Sequence, residues 1–315
     1  MDKESILLKS EILSLPNGMR VDGYAFVRNY TEQPTKNGTL FIVGQLECLG
    51  TVQFKIWSGN TFNQVADNPI KDTICRVIGE VNEYAGTKSL IIKEVYPYDG
   101  DELVPTDFLE VKYDVELMFN KSRSIIASSC DENTLEIFDI VMEPIKPRIL
   151  TEFAAVSHHD ACVGGLIAHT SKVVRLAQII KFYPTLFEAV DKEALFLGAA
   201  FHDIGKILEY NNGSLSELGK TMSHLTLGME LIRPYRESIV SRKGETFYNN
   251  IVSVIQQHHG EYGERPRTLV AYIVSIIDSL EARLTDIQEQ VIKARNGVVK
   301  IDDYKLSFNA IKDTE

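Results

Sequence analysis

The segment HDIGK at positions 202–206 places an imidazole, a carboxylate and an amine inside a strongly apolar stretch, LFLGAAFHDIGKILEY. A helix this apolar is expected to be buried, and burying an adjacent His and Asp costs free energy unless the two are paired or bind a metal. His202 and Asp203 are therefore candidate metal ligands. Lys206 lies one helical turn beyond His202 and is expected on the same face.

Further ligand-type residues lie on other predicted helices of the second half. His169 occurs in GGLIAHT, His258 and His259 end a helix before Gly260, and Asp278 lies in the middle of YIVSIIDSLEARL. All seven histidines of the chain fall in this half. Imidazole and carboxylate groups together form a ligand set for Mn²⁺, Fe²⁺, Co²⁺ or Zn²⁺, and a carboxylate beside a histidine can bridge two metals.

The order His, His-Asp, Asp, with Gly-Lys after the His-Asp pair, resembles the HD-domain superfamily of metal-dependent phosphohydrolases. The resemblance implies that one metal is bound by His169, His202, Asp203 and Asp278. It implies a second metal at the additional histidines, which are His224, His258 and His259. The expected cofactor is a divalent metal, Mn²⁺ first with Co²⁺ or Fe²⁺ as alternatives, present as one or two ions.

A narrower resemblance covers nearly the whole chain. Behind an OB-like module, the segments HHDACVGGLIAHT, FHDIGKI, SHLTLGMELI, QQHHGEYGERPRT and IIDSLEARL are similar to the YhaM-type 3′-to-5′ exoribonucleases. Two segments depart from that pattern. Ser223 precedes His224 where Gly is expected, and Ser279-Leu280-Glu281 follows Asp278 where Asn-Leu-Asp is more usual.

The resemblance implies hydrolysis of a phosphodiester. Two metals about 4 Å apart lower the pKa of a bridging water and neutralise phosphate charge, so that hydroxide attacks phosphorus in line with the leaving 3′-oxygen. Asp203 and Lys206 are the predicted catalytic residues, with Lys206 at the scissile phosphate or the leaving oxygen. The predicted substrate contacts of this half are His158 and His159, on phosphate or against the metal ligands, and Arg265 and Arg267, on the substrate backbone.

The first part of the chain has the pattern of a small β-barrel. Short segments rich in Val, Ile and Phe are separated by turn signals; they include Leu40–Glu47, Val52–Trp57, Cys75–Val81 and Ser89–Val95. About five such strands in roughly 80 residues predict an OB-fold.

Alternate residues of the predicted strand Val52–Trp57 face the barrel interior. Lys55 and Trp57 then lie on the outer face, which Phe41 of the preceding strand can share. Stacking of a base on an aromatic ring contributes about 1–3 kcal/mol. These three residues are therefore predicted to bind single-stranded nucleic acid.

Beyond about Tyr113 the apolar residues recur at helical spacing. Helices are predicted over Ala194–Tyr210, with Asp191 as its N-cap, and over Phe247–Gln257 and Leu269–Leu284. The sequence thus predicts a two-domain protein, with an N-terminal all-β OB-fold-like barrel over 1–98, a linker over 99–112, and a C-terminal all-α HD domain over 113–315.

The chain has 315 residues and a formal net charge of −11, all of it in residues 94–315, because residues 1–93 are neutral. A protein that coats nucleic acid electrostatically usually has a basic face. The charge therefore favours an enzyme that binds the ends of strands.

The four cysteines are scattered and predict neither a disulfide framework nor a zinc knuckle. No apolar run reaches the roughly 18 residues that a membrane span needs, so no membrane partner is predicted. The first residues do not have the pattern of a signal peptide, which predicts a cytoplasmic protein.

Three functions remain open from the sequence. The first is a 3′-to-5′ exoribonuclease that degrades single-stranded RNA, and single-stranded DNA as a further substrate, to nucleoside 5′-monophosphates. The second is another HD phosphohydrolase acting on nucleotides or cyclic dinucleotides, since HHGEYGERP faintly resembles a loop of cyclic-di-GMP phosphodiesterases. The third is a non-catalytic single-strand-binding protein. The tail Ile301–Ile311 either mediates a homo-oligomer or covers the core.

Overall fold

The computed structural model describes residues 6–84, 86–155, 160, 162–260, 263–294, 297–301 and 303–309. The chain divides into two compact units, the first ending at Val111 and the second beginning at Lys112. In the first unit the segment after the last strand returns to the barrel, where the Phe108 carbonyl accepts a hydrogen bond from Leu49 N at 2.7 Å. The domain limits drawn from the sequence stay predictions.

The first unit is built around a closed barrel with the strand order β1-β2-β3-β5-β4. Strands β3 and β5 pair in parallel and the other neighbours are antiparallel. The OB-like barrel predicted from the sequence is thereby confirmed. The elements of this unit are α1 (Lys9–Ser14), β1 (Arg20–Pro34), β2 (Leu40–Glu47), β3 (Thr51–Ile56), α2 (Asn60–Asp67), β4 (Thr73–Tyr84), β5 (Thr87–Pro97) and a 3₁₀ turn (Pro105–Phe108).

Strand β3 shows the predicted alternation. Val52, Phe54 and Ile56 are buried in the barrel core, whereas Gln53 is exposed and Lys55 is half-buried. Trp57 directly follows the strand and is exposed. Because successive side chains of a strand point to opposite faces, this pattern fixes which side of β3 faces outward.

The cysteine thiols should be nearly inert toward thiol reagents in the folded protein. None of the four forms a disulfide, and burial raises the pKa of the Cys48, Cys75 and Cys130 thiols from 9.0 to about 12. The thiolate is the reactive form, so below pH 9 each of these sites holds about a thousandfold less of it than a thiol of ordinary pKa. Labelling with a disulfide reagent at pH 7.5 should therefore be slow, rise with pH, and become complete only in guanidinium. Rapid native labelling of these cysteines would contradict the burial.

The second unit is a helical bundle with two small hairpins. Its helices are α3 (Val115–Ser129), α4 (Glu132–Ile149), α5 (Gly165–Leu176), α6 (Pro184–Ala189), α7 (Lys192–Phe201), α8 (Lys206–Glu209), α9 (His224–Ile232), α10 (Arg236–Lys243), α11 (Glu245–Gln257) and α12 (Leu269–Ala294), with 3₁₀ turns over Ala177–Phe182 and Arg233–Tyr235. The hairpins are β6 (Tyr210–Asn211) with β7 (Ser214–Leu215) and β8 (Val298–Ile301) with β9 (Tyr304–Ser307).

Helix α7 is the central helix of this unit. Its residues from Ala194 to Phe201 are all buried, and it packs against α5, α11 and α12. The predicted N-cap is confirmed, since the Asp191 side chain accepts a hydrogen bond from Ala194 N at 3.0 Å. A helix buried on every side can place its C-terminal residues at the centre of the bundle.

The continuous helix predicted over Ala194–Tyr210 is wrong. Helix α7 ends at Phe201, residues 202–205 form a turn, and α8 covers only Lys206–Glu209 before β6 begins. At the end of this turn two backbones approach closely, since a Cβ added at Gly205 would lie 1.9 Å from the His224 carbonyl oxygen. This contact lies between distant parts of the chain and leaves no mark on helical periodicity.

Helix α12 is longer than predicted and ends at Ala294 rather than at Leu284. Strand β8 packs against it and buries Val299, whereas the four residues of β9 are exposed; both roles considered for Ile301–Ile311 stay predictions. Residues 310–315 lie outside the described residues. Across the residues that the structure describes, no helix combines the length and apolarity that a membrane crossing requires.

Candidate metal centre

Ligand-type side chains from five segments of the helical unit meet at one place. They come from α5, from the turn after α7, from the start of α9, from the end of α11 and from α12. The residues brought together are His169, His202, Asp203, His224, His258, His259 and Asp278. All seven residues predicted as metal ligands thus lie in one cluster.

The Asp203 carboxylate lies at the middle of this cluster and faces two groups of histidines. Its Oδ1 lies 3.4 Å from His258 Nε2 and 3.5 Å from His224 Nε2. Its Oδ2 lies 3.3 Å from His202 Nε2 and 3.5 Å from His169 Nε2. A carboxylate placed between two sets of imidazoles has the geometry needed to bridge two ions.

Two atoms of the cluster are buried without a hydrogen-bond partner. In the described part of the chain only three buried side-chain polar atoms lack one, and Asp203 Oδ1 and His258 Nε2 are two of the three. Leaving a buried polar group unsatisfied costs about 1–3 kcal/mol, and more for a charged group. A divalent cation between these two atoms would satisfy both, so the donor set fits a metal ion.

The histidines are oriented by hydrogen bonds on the far side of each ring. His202 Nδ1 donates to the Ala199 carbonyl at 2.9 Å, and His258 Nδ1 faces the Val254 and Ile255 carbonyls at 3.2 Å each. A bond at Nδ1 places the proton there and directs the Nε2 lone pair inward, as in histidines that bind metals.

Two carboxylates that the sequence analysis missed complete this arrangement. Glu281 Oε2 lies 2.5 Å from His169 Nδ1, and Glu209 Oε2 lies 2.9 Å from His224 Nδ1. Both glutamates are buried. The available signal was a glutamate inside an apolar helix, three residues after Asp278 in one case and seven after His202 in the other.

The same carboxylates set the charge of the centre. Burial opposes protonation of His169, but hydrogen bonds to Asp278 and Glu281 outweigh it and raise the pKa of His169 to about 10. Burial raises the pKa of Asp203, but Lys206 and His202 outweigh it and hold that pKa well below its usual range. Burial and the neighbouring His258 lower the pKa of His259 to about 4. The His169 position therefore stabilises positive charge strongly, as a cation site requires.

Lys206 lies within the centre. Its Nζ is 2.6 Å from Asp203 Oδ2, and its side chain is largely buried. Arg265 lines a groove next to His259, whereas Arg267 pairs with Glu264 at 3.0 Å. His158 and His159, predicted as substrate contacts, lie outside the described residues.

The outer face of the barrel carries the aromatic cluster expected from the sequence. The rings of Phe41 and Trp57 lie 4.9 Å apart between centroids, and Lys55 Nζ lies 5.9 Å from the Trp57 ring. Trp57 is 44% exposed. Two adjacent aromatic rings and an amine thus share an accessible surface on one side of the barrel.

Comparisons with known proteins identify similar chains. The family model described as HD domain matches residues 166–283. A protein of Geobacillus sp. (strain WCH70) named 3′-5′ exoribonuclease YhaM is 25% identical over 291 residues, covering 89% of this chain and 87% of the relative. The protein of that name from Bacillus subtilis (strain 168) is 24% identical over 290 residues, covering 89% and 90%. The solved structure of the S. cerevisiae mitochondrial single-stranded DNA binding protein Rim1 matches 28% of this chain and 100% of its own, with 12% identity and a TM-score of 0.25.

Proposed function

We propose that this chain, a protein of the YhaM type, is a divalent-metal-dependent 3′-to-5′ exoribonuclease that hydrolyses single-stranded RNA to nucleoside 5′-monophosphates. The reaction adds water across the last phosphodiester of the strand. A bond forms between the water oxygen and phosphorus, the bond from phosphorus to the 3′-oxygen breaks, and that oxygen takes up a proton. The products are one nucleoside 5′-monophosphate and a strand shortened by one nucleotide.

The observation that carries the proposal is the position of Asp203 between two groups of imidazoles, with its Oδ1 unpartnered and buried. His169, His202, Asp203 and Asp278 would hold one ion, and Asp203, His224, His258 and His259 would hold the other. When bound, such ions supply Lewis acidity toward phosphate and lower the pKa of the attacking water.

Other side chains orient the histidines and contact the substrate. Glu281 and Glu209 hold His169 and His224 in one orientation, so that the ligands need not rearrange. The Lys206 ammonium lies 2.6 Å from Asp203 Oδ2 and is positioned to neutralise the phosphate or protonate the leaving 3′-oxygen. In the barrel, the Phe41 and Trp57 rings offer stacking surfaces for bases of the strand.

A single assay separates this function from its alternatives. The purified protein is incubated with 5′-end-labelled single-stranded RNA, with cyclic dinucleotides and with nucleoside triphosphates, each with Mn²⁺, Co²⁺ or Fe²⁺. A one-nucleotide ladder that shortens from the 3′ end is expected. Hydrolysis of the small nucleotides without RNA degradation would instead assign a nucleotide phosphohydrolase. RNA binding without hydrolysis under any metal would assign a single-strand-binding protein.

Replacing Trp57 with alanine should weaken binding of single-stranded RNA about 5-fold to 150-fold, because one stacked base contributes roughly 1–3 kcal/mol. The affinity is measured by fluorescence anisotropy with a labelled oligonucleotide, and the KM for hydrolysis should rise in parallel while the metal requirement stays the same. Trp57→Phe should retain most of the affinity. Tyr84→Ala is the control, since Tyr84 is an exposed aromatic residue of the same barrel. Unchanged RNA affinity in Trp57→Ala would remove the stacking role.

A further inference from the structure

A groove adjoins the metal centre on its more open side. Its volume is about 590 Å³, which lies within the range of about 300–1,000 Å³ typical of small-molecule sites. One side is formed by α12 and the other by residues 259–260 and 265–266. The residues that line it include His259, Gly260, Arg265, Tyr272, Ser275 and Ser279.

The α12 side presents a row of three side chains. Tyr272, Ser275 and Ser279 follow one another at intervals of three and four residues and therefore share one helix face. The row spans about 10 Å at 1.5 Å per residue. Ser279 directly follows Asp278, so this end of the row lies at the metal centre, and Tyr272 lies at the far end.

The opposite side contributes a ligand residue and a cation. His259 lines the groove while its Nε2 lies 2.9 Å from His224 Nε2 in the centre. Arg265 has no acidic partner in the part of the chain that the structure describes, in contrast to Arg267 with Glu264. An exposed guanidinium without a carboxylate partner is suited to bind phosphate.

The two sides are held close together. Gly260 has a φ of +56°, and an added Cβ would lie 2.8 Å from Ser275 Oγ. The backbone at Gly260 therefore lies directly against Ser275, the middle residue of the row. This contact sets the distance between the two sides at Ser275 and leaves Tyr272, which is 56% exposed, open to a ligand at the outer end.

We propose that this groove binds the terminal nucleotide of the RNA strand, with its 5′-phosphate at the His259 end and its base stacked on Tyr272. Ser275 and Ser279 then hydrogen-bond the nucleoside between these ends, and Arg265 contacts the strand backbone. The inference rests on the proposed function for the identity of the substrate. To that function it adds a groove that distinguishes a nucleotide from a ribose phosphate without a base. It also predicts that the released nucleoside monophosphate binds in the same groove.

The test measures binding without turnover. Adenosine 5′-monophosphate and ribose 5-phosphate are titrated into the Mn²⁺-loaded protein by calorimetry. Adenosine 5′-monophosphate should bind the wild type more tightly than ribose 5-phosphate does. Tyr272→Ala should weaken the binding of adenosine 5′-monophosphate about 5-fold to 150-fold without changing the affinity for ribose 5-phosphate. Tyr272→Phe, which keeps the ring, should behave like the wild type. Tyr183→Ala is the matched control, because Tyr183 is 57% exposed in the same unit and does not line the groove.

Two outcomes would overturn the proposal: equal affinity of the wild type for the two ligands, or an unchanged affinity of Tyr272→Ala for adenosine 5′-monophosphate. The proposed function fails separately, through the absence of an RNA ladder in the activity assay. A protein that binds the monophosphate in a Tyr272-dependent way but degrades no RNA would therefore keep the nucleotide site and lose the exonuclease assignment.

Discussion

Asp203→Asn should abolish hydrolysis of RNA and sharply reduce the divalent metal that the protein retains after desalting. The substitution keeps the size of the side chain but removes the negative charge that both groups of histidines face. Removing a residue that only supports a ligand typically costs 10–100-fold in metal affinity or activity. Losing the shared carboxylate should exceed that, with a loss of activity of more than about 100-fold.

Metal content by mass spectrometry and the initial rate on labelled RNA check this result. Asp139→Asn is the control, because Asp139 is a partly exposed carboxylate of the same unit that pairs with Arg123 at 2.6 Å and lies outside the cluster. Circular dichroism should show both variants folded. Full activity of Asp203→Asn would mean that the catalytic centre lies elsewhere.

Glu281→Gln should raise the concentration of Mn²⁺ needed for half-maximal activity by about 10-fold to 100-fold. The carboxylate accepts the His169 Nδ1 hydrogen bond at 2.5 Å and also faces Lys172 Nζ at 3.1 Å. A neutral amide keeps the shape but no longer favours positive charge on His169. Its NH₂ group can also donate a hydrogen bond to Nδ1, which favours the tautomer with the proton on Nε2. The ligand would then be misoriented although it is still present.

A residue that only positions a ligand should change the affinity for Mn²⁺ but leave kcat at saturating Mn²⁺ nearly unchanged. At saturating Mn²⁺ the kcat of Glu281→Gln should return to within a few-fold of the wild type, whereas Asp203→Asn should stay inactive. Glu217→Gln is the control, since Glu217 is a surface residue paired only with Lys220 among the contacts described. A loss of kcat that high metal cannot restore would show that Glu281 acts in the reaction itself.

Much of the fold follows from patterns along the sequence. The strand Leu40–Glu47 and the helix end at Gln257 were predicted to the residue, because alternation and helical spacing are local properties. Strand β1 (Arg20–Pro34) was not identified, since its second half is largely exposed and polar. The extension of α12 beyond Leu284 was missed for a similar reason, since apolar residues are sparse there.

The ligand cluster was predictable because histidine and aspartate are unusual on apolar helices. The groups that orient the ligands were missed. Glu281 and Glu209 each lie in an apolar segment, but a lone glutamate there is not distinguished from a solvated charge until the bundle buries it. Tyr272 is equally inconspicuous, because one exposed tyrosine on an amphipathic helix has no distinctive spacing. What escaped prediction depends on contacts between residues far apart in the chain.

The glycine at position 205 has a consequence for the spacing of the ligand-type side chains. An added Cβ there would lie 1.9 Å from the His224 carbonyl oxygen and 2.5 Å from Gly228 N. A side chain at position 205 would therefore push the turn that carries His202 and Asp203 away from the start of α9, where His224 lies. The 3.5 Å separation of Asp203 Oδ1 from His224 Nε2 thus depends on the absence of a methyl group at a position that contributes no polar side chain.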